Sequence, residues 1–478
     1  MPITAARRAW GPTGNQIAYW TGLNTGFLIS KADAPRVFVV AAGGGEPQRL
    51  FADFAVALSP IWSVDGSHLL FVGRREVQDQ DDWWMANADG SSVVKTGAYA
   101  AIARANLKAP FEGLLIPDVW TADGRVLFST HLGDSTNVWS LAIAPDGQAR
   151  GSPARLTAGT GIETGATIDG SGTLAFAAVT NDIDLWSLSL NPDTGATVGT
   201  MQRLTHDPAS DLSPWLSPDG RSLAFASNRS GTNDIWVRNL ATGKDALVAP
   251  QITYPSLPTF TKDGTRITFH SGKRGRWLAV PLAGGASQSS VPQAVCDNCQ
   301  QFWDLSSGDK WALYGTDDDT RIMARNTATG ATTEFLNAGG AIMGRLRISP
   351  DDRWVSFNYR EAGSIRIMVV PFQPGTLVGR ERWIAMTPDD TQVIAPVWSL
   401  DSGTLYYLSN RDGGFCVWAQ RIDRQTGQPL GDAVGVWHFH DARRSTTRMP
   451  LPARSVGVAR DRLVVSVGEG AGNIWLAK

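Results

Sequence analysis

The segment at residues 211–243, DLSPWLSPDGRSLAFASNRSGTNDIWVRNLATG, alternates short apolar runs with residues typical of tight turns. Gly tolerates positive φ and Asp caps its own backbone, so Asp219-Gly220 predicts a turn between two strands. The apolar residues around it alternate with smaller or polar ones, which is the period-2 pattern of a strand. The segment therefore predicts four strands, at residues 214–216, 223–227, 234–237 and near 247.

The same pattern recurs along the chain at intervals of 44 to 60 residues. The turn between the first and second strands falls near residues 13, 65, 123, 169, 219, 263, 307, 351, 401 and 461. Four-stranded propeller blades repeat about every 40–50 residues. The spacing predicts an all-β fold, a β-propeller of about ten four-stranded blades over residues 1–478. A single large ring is favoured because no linker divides the chain, two smaller rings are the alternative, and only residues 98–108 have a helical pattern.

Tryptophan falls at two places in the repeat. One set lies just before the turn: Trp10, Trp62, Trp120, Trp215, Trp303 and Trp398. The other lies in the third strand: Trp84, Trp139, Trp186, Trp236, Trp277, Trp418 and Trp475. Because each buries a large apolar area, we expect both sets to pack between neighbouring sheets rather than to form a ligand platform. Outside both sets, Trp83 beside an acidic loop is the candidate for a surface position.

The ends of the chain suggest how a ring could close. A propeller joins its first and last blades or leaves sheet edges exposed. The last repeat has only three predicted strands. We therefore hypothesise that residues 2–6 supply the fourth strand and pair the two termini.

Two copies of the repeat carry a longer motif. Residues 214–236 read PWLSPDGRSLAFASNRSGTNDIW, and residues 396–418 read PVWSLDSGTLYYLSNRDGGFCVW. The motif resembles the WD40-like repeat of TolB-type propellers, and this resemblance implies contact with proteins. The C-terminal segment SVGVARDRLVVSVGEGAGNIWLAK also resembles the ends of propeller regions in bacterial, acidobacterial-type serine/threonine kinases and winged-helix regulators. That resemblance implies a signalling role and an extracytoplasmic or periplasmic location, whereas a chain complete as written would be cytoplasmic.

Composition and missing motifs limit the possible functions. A formal net charge of -2 gives no electrostatic reason to expect nucleic acid or an anionic membrane surface. No stretch approaches the roughly 20 apolar residues of a membrane helix, so no membrane insertion is expected. Gly-x-Ser-x-Gly, His-Glu-x-x-His and the kinase motifs are absent, so the sequence predicts no hydrolase of those classes and no kinase.

The mouth of the central channel is the predicted ligand site, because residues just before each first strand line it. These residues include Asp118, Glu163, Asp211, Gln301, Arg345 and Arg347. Their mixed charge would suit a peptide or a protein loop, although no spacing in the sequence makes them converge.

Metal sites have weaker signals. Cys296 and Cys299 form a Cys-x-x-Cys that would need two more ligands for zinc, and a local disulfide or two free thiols are the alternatives. Cys416 is distant in sequence, and His438 and His440 share a face if they lie on one strand. The acidic runs at residues 79–82 and 317–319 would suit calcium, but a solvated loop is favoured. The sequence predicts no cofactor and leaves calcium and zinc open.

The sequence as a whole predicts a non-enzymatic binding, sensing or scaffolding propeller. It would recognise a protein, a peptide or a small ligand at the channel mouth. The alternative is a propeller enzyme acting on polysaccharide, a lyase or glycosidase with a channel metal or carboxylates. The scatter of the six histidines over different repeats favours the binding function.

Overall fold

The computed structural model consists almost entirely of antiparallel β-strands in two compact units. The first unit comprises residues 1–181 and 470–478, and the second comprises residues 182–469. The structure describes residues 6–22, 34–76, 78–109, 114–133, 135–191, 195–249, 256–271, 276–282, 291–295, 299, 302–316, 318–361, 364–388, 392–440, 444–446, 449 and 454–477.

The first unit contains two separate four-stranded sheets and a third four-stranded meander that is part of a ten-stranded sheet, and the strands of each follow chain order. Their strands are β1 (Ala6–Trp10), β2 (Gln16–Thr21), β3 (Arg36–Ala41), β4 (Gln48–Arg49), β5 (Val56–Trp62), β6 (His68–Arg74), β7 (Asp82–Asn87), β8 (Val94–Lys95), β9 (Pro117–Trp120), β10 (Arg125–Leu132), β11 (Ser135–Ile143) and β12 (Ala149–Arg155). The predicted helical segment forms α1 (Ala98–Arg104) between β8 and β9. A further strand, β13 (Ile162–Ile168), pairs with the first part of β14 (Leu174–Leu190).

The second unit contains five four-stranded sheets in the same order. After β15 (Thr197–Arg203), the strands are β16 (Asp211–Leu216), β17 (Ser222–Ser227), β18 (Asp234–Asn239), β19 (Asp245–Ala249), β20 (Ser256–Phe260), β21 (Arg266–Ser271), β22 (Arg276–Pro281), β23 (Gln293–Ala294), β24 (Phe302–Leu305), β25 (Trp311–Gly315), β26 (Arg321–Asn326), β27 (Thr332–Asn337), β28 (Ile342–Ile348), β29 (Trp354–Glu361), β30 (Ser364–Pro371), β31 (Ile384–Ala385), β32 (Val393–Trp398), β33 (Thr404–Ser409), β34 (Cys416–Arg421) and β35 (Val434–Trp437). The chain ends with β36 (Arg444–Ser445), β37 (Val456–Val458) and β38 (Arg462–Ala477). Short 3₁₀ turns lie at Ser307–Asp309 and Arg380–Arg382. Because each sheet is a four-stranded antiparallel meander, as in a propeller blade, the predicted fold class is confirmed.

A sixth sheet closes the second unit by combining strands from its two ends. The strand order is β37-β38-β14-β15, with residues 182–190 and 462–469 as the central pair. The Leu190 N–H donates to the Asp461 carbonyl oxygen at 2.8 Å. The predicted closure through residues 2–6 stays a prediction, because it depends on residues outside the described part of the chain. Ala6 begins β1, which pairs with β2, and residues 2–5 lie outside the described part of the chain.

Apolar clusters fill the space between consecutive sheets of the second unit. The closing sheet packs through Val465 against the β32–β35 sheet and through Val464 against the β16–β19 sheet. Four other clusters join the remaining neighbours in chain order. The described residues of this unit thus form a closed ring of six sheets. A ring of this size is what the alternative of two smaller rings predicts, and the adjacency of β38 and β14 is what closes it.

The turn between the first two strands depends on a serine or threonine two residues before the aspartate. The Ser217 hydroxyl donates to Asp219 Oδ1 at 2.5 Å, and the same oxygen accepts the Arg221 N–H at 3.0 Å. Gly220 has φ 68°, a left-handed conformation that costs glycine little. Equivalent hydroxyl–aspartate bonds recur at Asp65, Asp123, Asp263, Asp351 and Asp401. The prediction that these aspartates form turns is confirmed.

The tryptophans occupy more varied surroundings than the sequence predicts. Most are buried or partly buried between sheets, but Trp10 and Trp475 are 60% and 55% exposed. Trp83 is not a surface residue. Its side chain is fully buried in β7, its Nε1–H donates to the Leu115 carbonyl at 2.6 Å, and its ring meets Phe128 edge-on. Strand alternation places Trp84 on the opposite face of β7, where it packs edge-on against Phe54.

Candidate functional site

The first strands of four sheets in the second unit share one backbone irregularity. Ser213, Leu257, Arg345 and Ala395 have φ between 52° and 57°, and a register shift follows each in its ladder. A non-glycine residue in this left-handed region carries strain of roughly 1–3 kcal/mol. Such bulges re-aim side chains and are found next to binding sites.

These four strands, with Ser455 before β37, line one small pocket within the second unit. Its empty volume is 310 Å³, including the part that is open to solvent. Three of the lining residues carry a charge or a large aromatic ring: Trp215, Arg345 and Arg347. The other described lining residues are serine, proline, leucine, alanine and valine, so polar recognition in this pocket depends mainly on the two arginines.

Strand β28 departs from the pattern of the other lining strands. At the left-handed position β16, β20 and β32 have Ser213, Leu257 and Ala395, each followed by proline. At the same position β28 has Arg345, followed by leucine. The bulge leaves Arg345 and Arg347 lining the same pocket. The sheet that breaks the apolar pattern is therefore the one that brings positive charge.

Arg347 is held firmly by its surroundings. Its side chain is buried, and Nη1 donates to the Trp303 carbonyl at 2.6 Å and to the Leu346 carbonyl at 3.0 Å. Its guanidinium also lies over the Trp215 ring, 4.7 Å from the ring centroid. A cation over an indole face is attracted by the ring quadrupole. Trp398 fixes the backbone at this point by donating from Nε1 to the Arg347 carbonyl at 3.1 Å.

Burial shifts the pKa values of the charged groups in and beside the pocket. Burial, together with the positive charge of Arg347, lowers the pKa of Arg345 to about 10, and burial also lowers the pKa of Arg347. Both guanidinium groups remain protonated at neutral pH. Burial raises the pKa of the nearby Asp304 carboxyl, against the opposing effect of Arg347 and Lys262. Asp304 also accepts the Ile348 and Leu305 N–H groups at 2.8 and 2.9 Å. Among the described lining residues, the two arginines are the only charged ones.

The structure brings together only two of the six residues predicted at the channel mouth. Arg345 and Arg347 line the pocket, whereas Gln301 lies outside the described residues. Asp211 begins β16 as predicted, but its carboxylate is fully buried and ion-paired with Arg229 at 2.8 Å instead of facing the pocket.

Two other predicted residues belong to the first unit. Glu163 is buried and accepts hydrogen bonds from Asn137 Nδ2 at 2.7 Å and from the Gly159 N–H at 3.3 Å. Asp118 in β9 accepts a long hydrogen bond, 3.4 Å, from the Ser129 hydroxyl. Both carboxylates are therefore engaged within their own sheets, and neither lines the pocket of the second unit.

Trp215 and Asp304 are site residues that the sequence interpretation did not single out. Trp398 directly precedes Ser399, the serine of the turn, whereas Leu216 stands between Trp215 and Ser217. Trp215 is thus offset by one residue, and a one-residue offset moves a side chain to the other face of a strand. That offset is the signal in the sequence that separates Trp215 from the packing tryptophans.

The predicted metal candidates have other partners. Cys299 is buried and disulfide-bonded, so its sulfur is not a thiolate ligand, and Cys296 lies outside the described residues. In the acidic run at residues 79–82, Asp81 pairs with Arg74 at 3.3 Å and Asp82 accepts the Trp83 and Tyr99 N–H groups. Asp318 serves a turn by accepting the Thr316 hydroxyl at 2.6 Å. These carboxylates are used locally.

Comparison with known proteins gives similarity of fold and no family. No family profile matches the chain, and no curated protein matches it. Similar solved structures include a protein described as a TolB from Agrobacterium tumefaciens, with 15% identity, a TM-score of 0.47, and coverage of 60% of this chain and 98% of that one. TolB from Acinetobacter baumannii has 14% identity, a TM-score of 0.40, and coverage of 76% and 83%. Oligogalacturonate lyase from Vibrio parahaemolyticus has 12% identity, a TM-score of 0.37, and coverage of 60% and 98%.

In the part of the chain that the structure describes, no helix combines the length and the apolar character needed to cross a membrane.

Proposed function

We propose that this chain is a binding module that recognises an anionic group of a protein or peptide in the pocket of the second unit. The observation that carries the proposal is the pair Arg345 and Arg347, which line one pocket. Arginine donates charge-assisted hydrogen bonds in a fixed fork that matches a carboxylate. A peptide C-terminus or an Asp or Glu side chain is therefore the ligand group that fits this chemistry.

The lining favours binding over carboxylate-based catalysis. Glycosidases of the usual kind need two carboxyl groups flanking the scissile bond. Among the described lining residues there is no carboxylate and no histidine. The resemblance of the C-terminal segment to signalling propellers adds the finer proposal that the module senses or scaffolds within a bacterial signalling protein.

A labelled hexaglutamate peptide tests the proposal, with an uncharged, amidated hexaglutamine peptide as its matched control. We expect the acidic peptide to bind and Arg345→Gln to weaken it about 10- to 100-fold, because a hydrogen bond to a charged group contributes about 1.5–3 kcal/mol. Exposed Arg221 supplies the control variant, Arg221→Gln. Fluorescence anisotropy measures the affinities, and near-UV circular dichroism checks the fold.

Two results would contradict the proposal: equal affinity for the two peptides, or Arg345→Gln and Arg221→Gln proteins that bind alike. Rising salt should also weaken the interaction of the wild type more than that of Arg345→Gln, since screening acts on the charge that the variant lacks.

The second candidate function is an enzyme acting on an acidic polysaccharide, because uronate carboxylates would suit the same two arginines. Incubation with oligogalacturonate distinguishes the two functions. Turnover to an unsaturated, ultraviolet-absorbing product that Arg345→Gln abolishes would favour the lyase. Binding without turnover would favour the module.

A further inference from the structure

The β32–β35 sheet carries a cluster of four potential ligand residues at one end of its third strand. Asp412 lies in the loop between β33 and β34, Cys416 begins β34, and His438 and His440 follow β35. None of the four lines the pocket described above. The cluster thus brings the β33–β34 loop together with the segment that follows β35, the outermost strand of the sheet.

The four side chains point at a common centre. One ligand atom from each lies within 4.8 Å of all the others. His438 Nδ1 and His440 Nε2 face the same carboxylate oxygen, Asp412 Oδ2, at 2.5 and 3.2 Å. In a tetrahedral zinc site, bonds of about 2.0–2.3 Å place the ligand atoms about 3.4–3.8 Å apart. Coordination of an ion would therefore lengthen the two histidine–carboxylate separations and shorten any that approach 4.8 Å, each by about 1 Å or less.

Two further observations concern the ligand atoms of Asp412 and Cys416. Asp412 Oδ1 is buried, yet it has no hydrogen-bond partner. Buried polar atoms are nearly always paired, and binding of an ion is one reason for an exception. The Phe439 N–H also donates to Cys416 Sγ at 3.2 Å, which fixes the sulfur at this end of the sheet.

The surroundings leave room for the histidine rings. A Cβ atom on Gly435 would lie 2.5 Å from His438 Nε2, so glycine at this position admits the ring. His438 packs edge-on against Trp418, with the ring centroids 5.7 Å apart. These contacts orient His438 with Nδ1 towards Asp412.

We propose that Asp412, Cys416, His438 and His440 bind one zinc ion. A thiolate, two imidazoles and a carboxylate form a borderline-soft donor set, which suits zinc rather than calcium or magnesium. Four protein ligands describe a closed, structural site. The ion ties the β33–β34 loop to the segment after β35 and braces one end of the sheet.

Zinc titration of the untagged full chain tests the site directly. Metal is first removed with a chelator, and zinc is then titrated in competition with a chromophoric chelator. We expect one zinc per chain and at least about tenfold weaker binding by His440→Ala, since even outer-shell partners of a metal contribute 10–100-fold. His68→Ala removes a partly buried histidine of the first unit, outside the cluster, and serves as the matched control.

Cobalt identifies the sulfur ligand. The wild type should give a thiolate-to-cobalt charge-transfer band, and Cys416→Ser should lose it. Because Cys416 is buried, its variant could misfold, whereas the half-exposed His440 permits substitution without disturbing the core. Zinc should raise the Tm of the wild type and of His68→Ala, but not that of His440→Ala.

The proposal fails if the wild type binds zinc no more tightly than a His438→Ala/His440→Ala variant. It also fails if the cobalt form of the wild type shows no charge-transfer band from sulfur. Neither result depends on Arg345 or on any peptide, so the outcome is independent of the proposed function.

Discussion

At the scale of a single residue, the contacts of Arg229 show why an arginine follows the second strand in the repeat at residues 211–243. Its guanidinium lies over Phe225 and Trp236, 5.0 and 5.2 Å from the ring centroids. It also pairs with the fully buried carboxylate of Asp211. Arg411 stacks over Tyr407 and Trp418 in the same way. The third-strand tryptophan thus packs in the cluster shared with the preceding sheet and is also a platform for an arginine of its own sheet.

Arg229→Ala should destabilise the second unit by about 3–5 kcal/mol, because removing one partner leaves the other charge buried and unpaired. Arg221→Ala, at an exposed turn position, should change stability by no more than about 0.5 kcal/mol. Urea unfolding measures both. Similar losses for the two variants would show that the buried pair does not stabilise the unit.

At the scale of the element, three hairpins between third and fourth strands use the same six-residue turn. Each begins with Asn239, Asn326 or Asp423, whose side chain accepts two backbone N–H groups at 2.8–3.1 Å. Each also contains a glycine with φ near 70°, at Gly243, Gly330 and Gly427. These bonds span only a few residues, so their signal is local and can be read from the sequence.

The glycines of these turns differ in what surrounds them, and this difference makes a matched pair of substitutions. An added Cβ at Gly427 would lie 2.5 Å from the Trp354 ring, whereas at Gly243 it would meet nothing within 4 Å. Gly243→Ala should therefore cost only the left-handed strain, about 1–2 kcal/mol. Gly427→Ala should cost about 1–3 kcal/mol more, through overpacking. Equal midpoints in urea would contradict this account of the Trp354 contact.

Short-range sequence motifs predict the turns, but they do not predict the two candidate sites. Asp219 and Ser217 are two residues apart, so the sequence predicts their turn. Trp215 and Arg347 meet only because two distant first strands line one pocket, and no residue near either of them specifies the other. Cys416 and His438 meet through the β34–β35 pairing and the chain beyond it. The sequence predicted the shared face of His438 and His440, but not their approach to Cys416.

At the scale of the whole molecule, the sheet that closes the second unit joins residues from both of its ends. Trp186 pairs with Arg203 in β14–β15, and Val456 pairs with Val465 in β37–β38. Val465 and Leu188 are fully buried in the same cluster. No local pattern marks this pairing, because β14 and β38 are far apart in the chain. Closure was therefore the part of the fold that the repeat spacing could not predict.

Deletion of residues 456–478 should open the second unit, since it removes β37 and β38 and exposes two apolar clusters. We expect fast hydrogen exchange at residues 211–249, which pack against the closing sheet. Deletion of residues 470–478 alone keeps β37 and the first part of β38, so it is the control and should preserve slow exchange there. Equal protection in the two truncated chains would mean that the ring does not need this sheet.

The left-handed bulge of the first strands also affects how the chain avoids aggregation by strand pairing between molecules. Pro214, Pro258 and Pro396 follow the bulge, and a proline has no N–H to offer a foreign strand. Where β28 lacks the proline, Arg345 supplies an inward charge, which also discourages strand addition. Each of these four first strands thus carries a feature that discourages intermolecular pairing. Repeats with this feature lengthen a chain without adding a strand edge that favours aggregation.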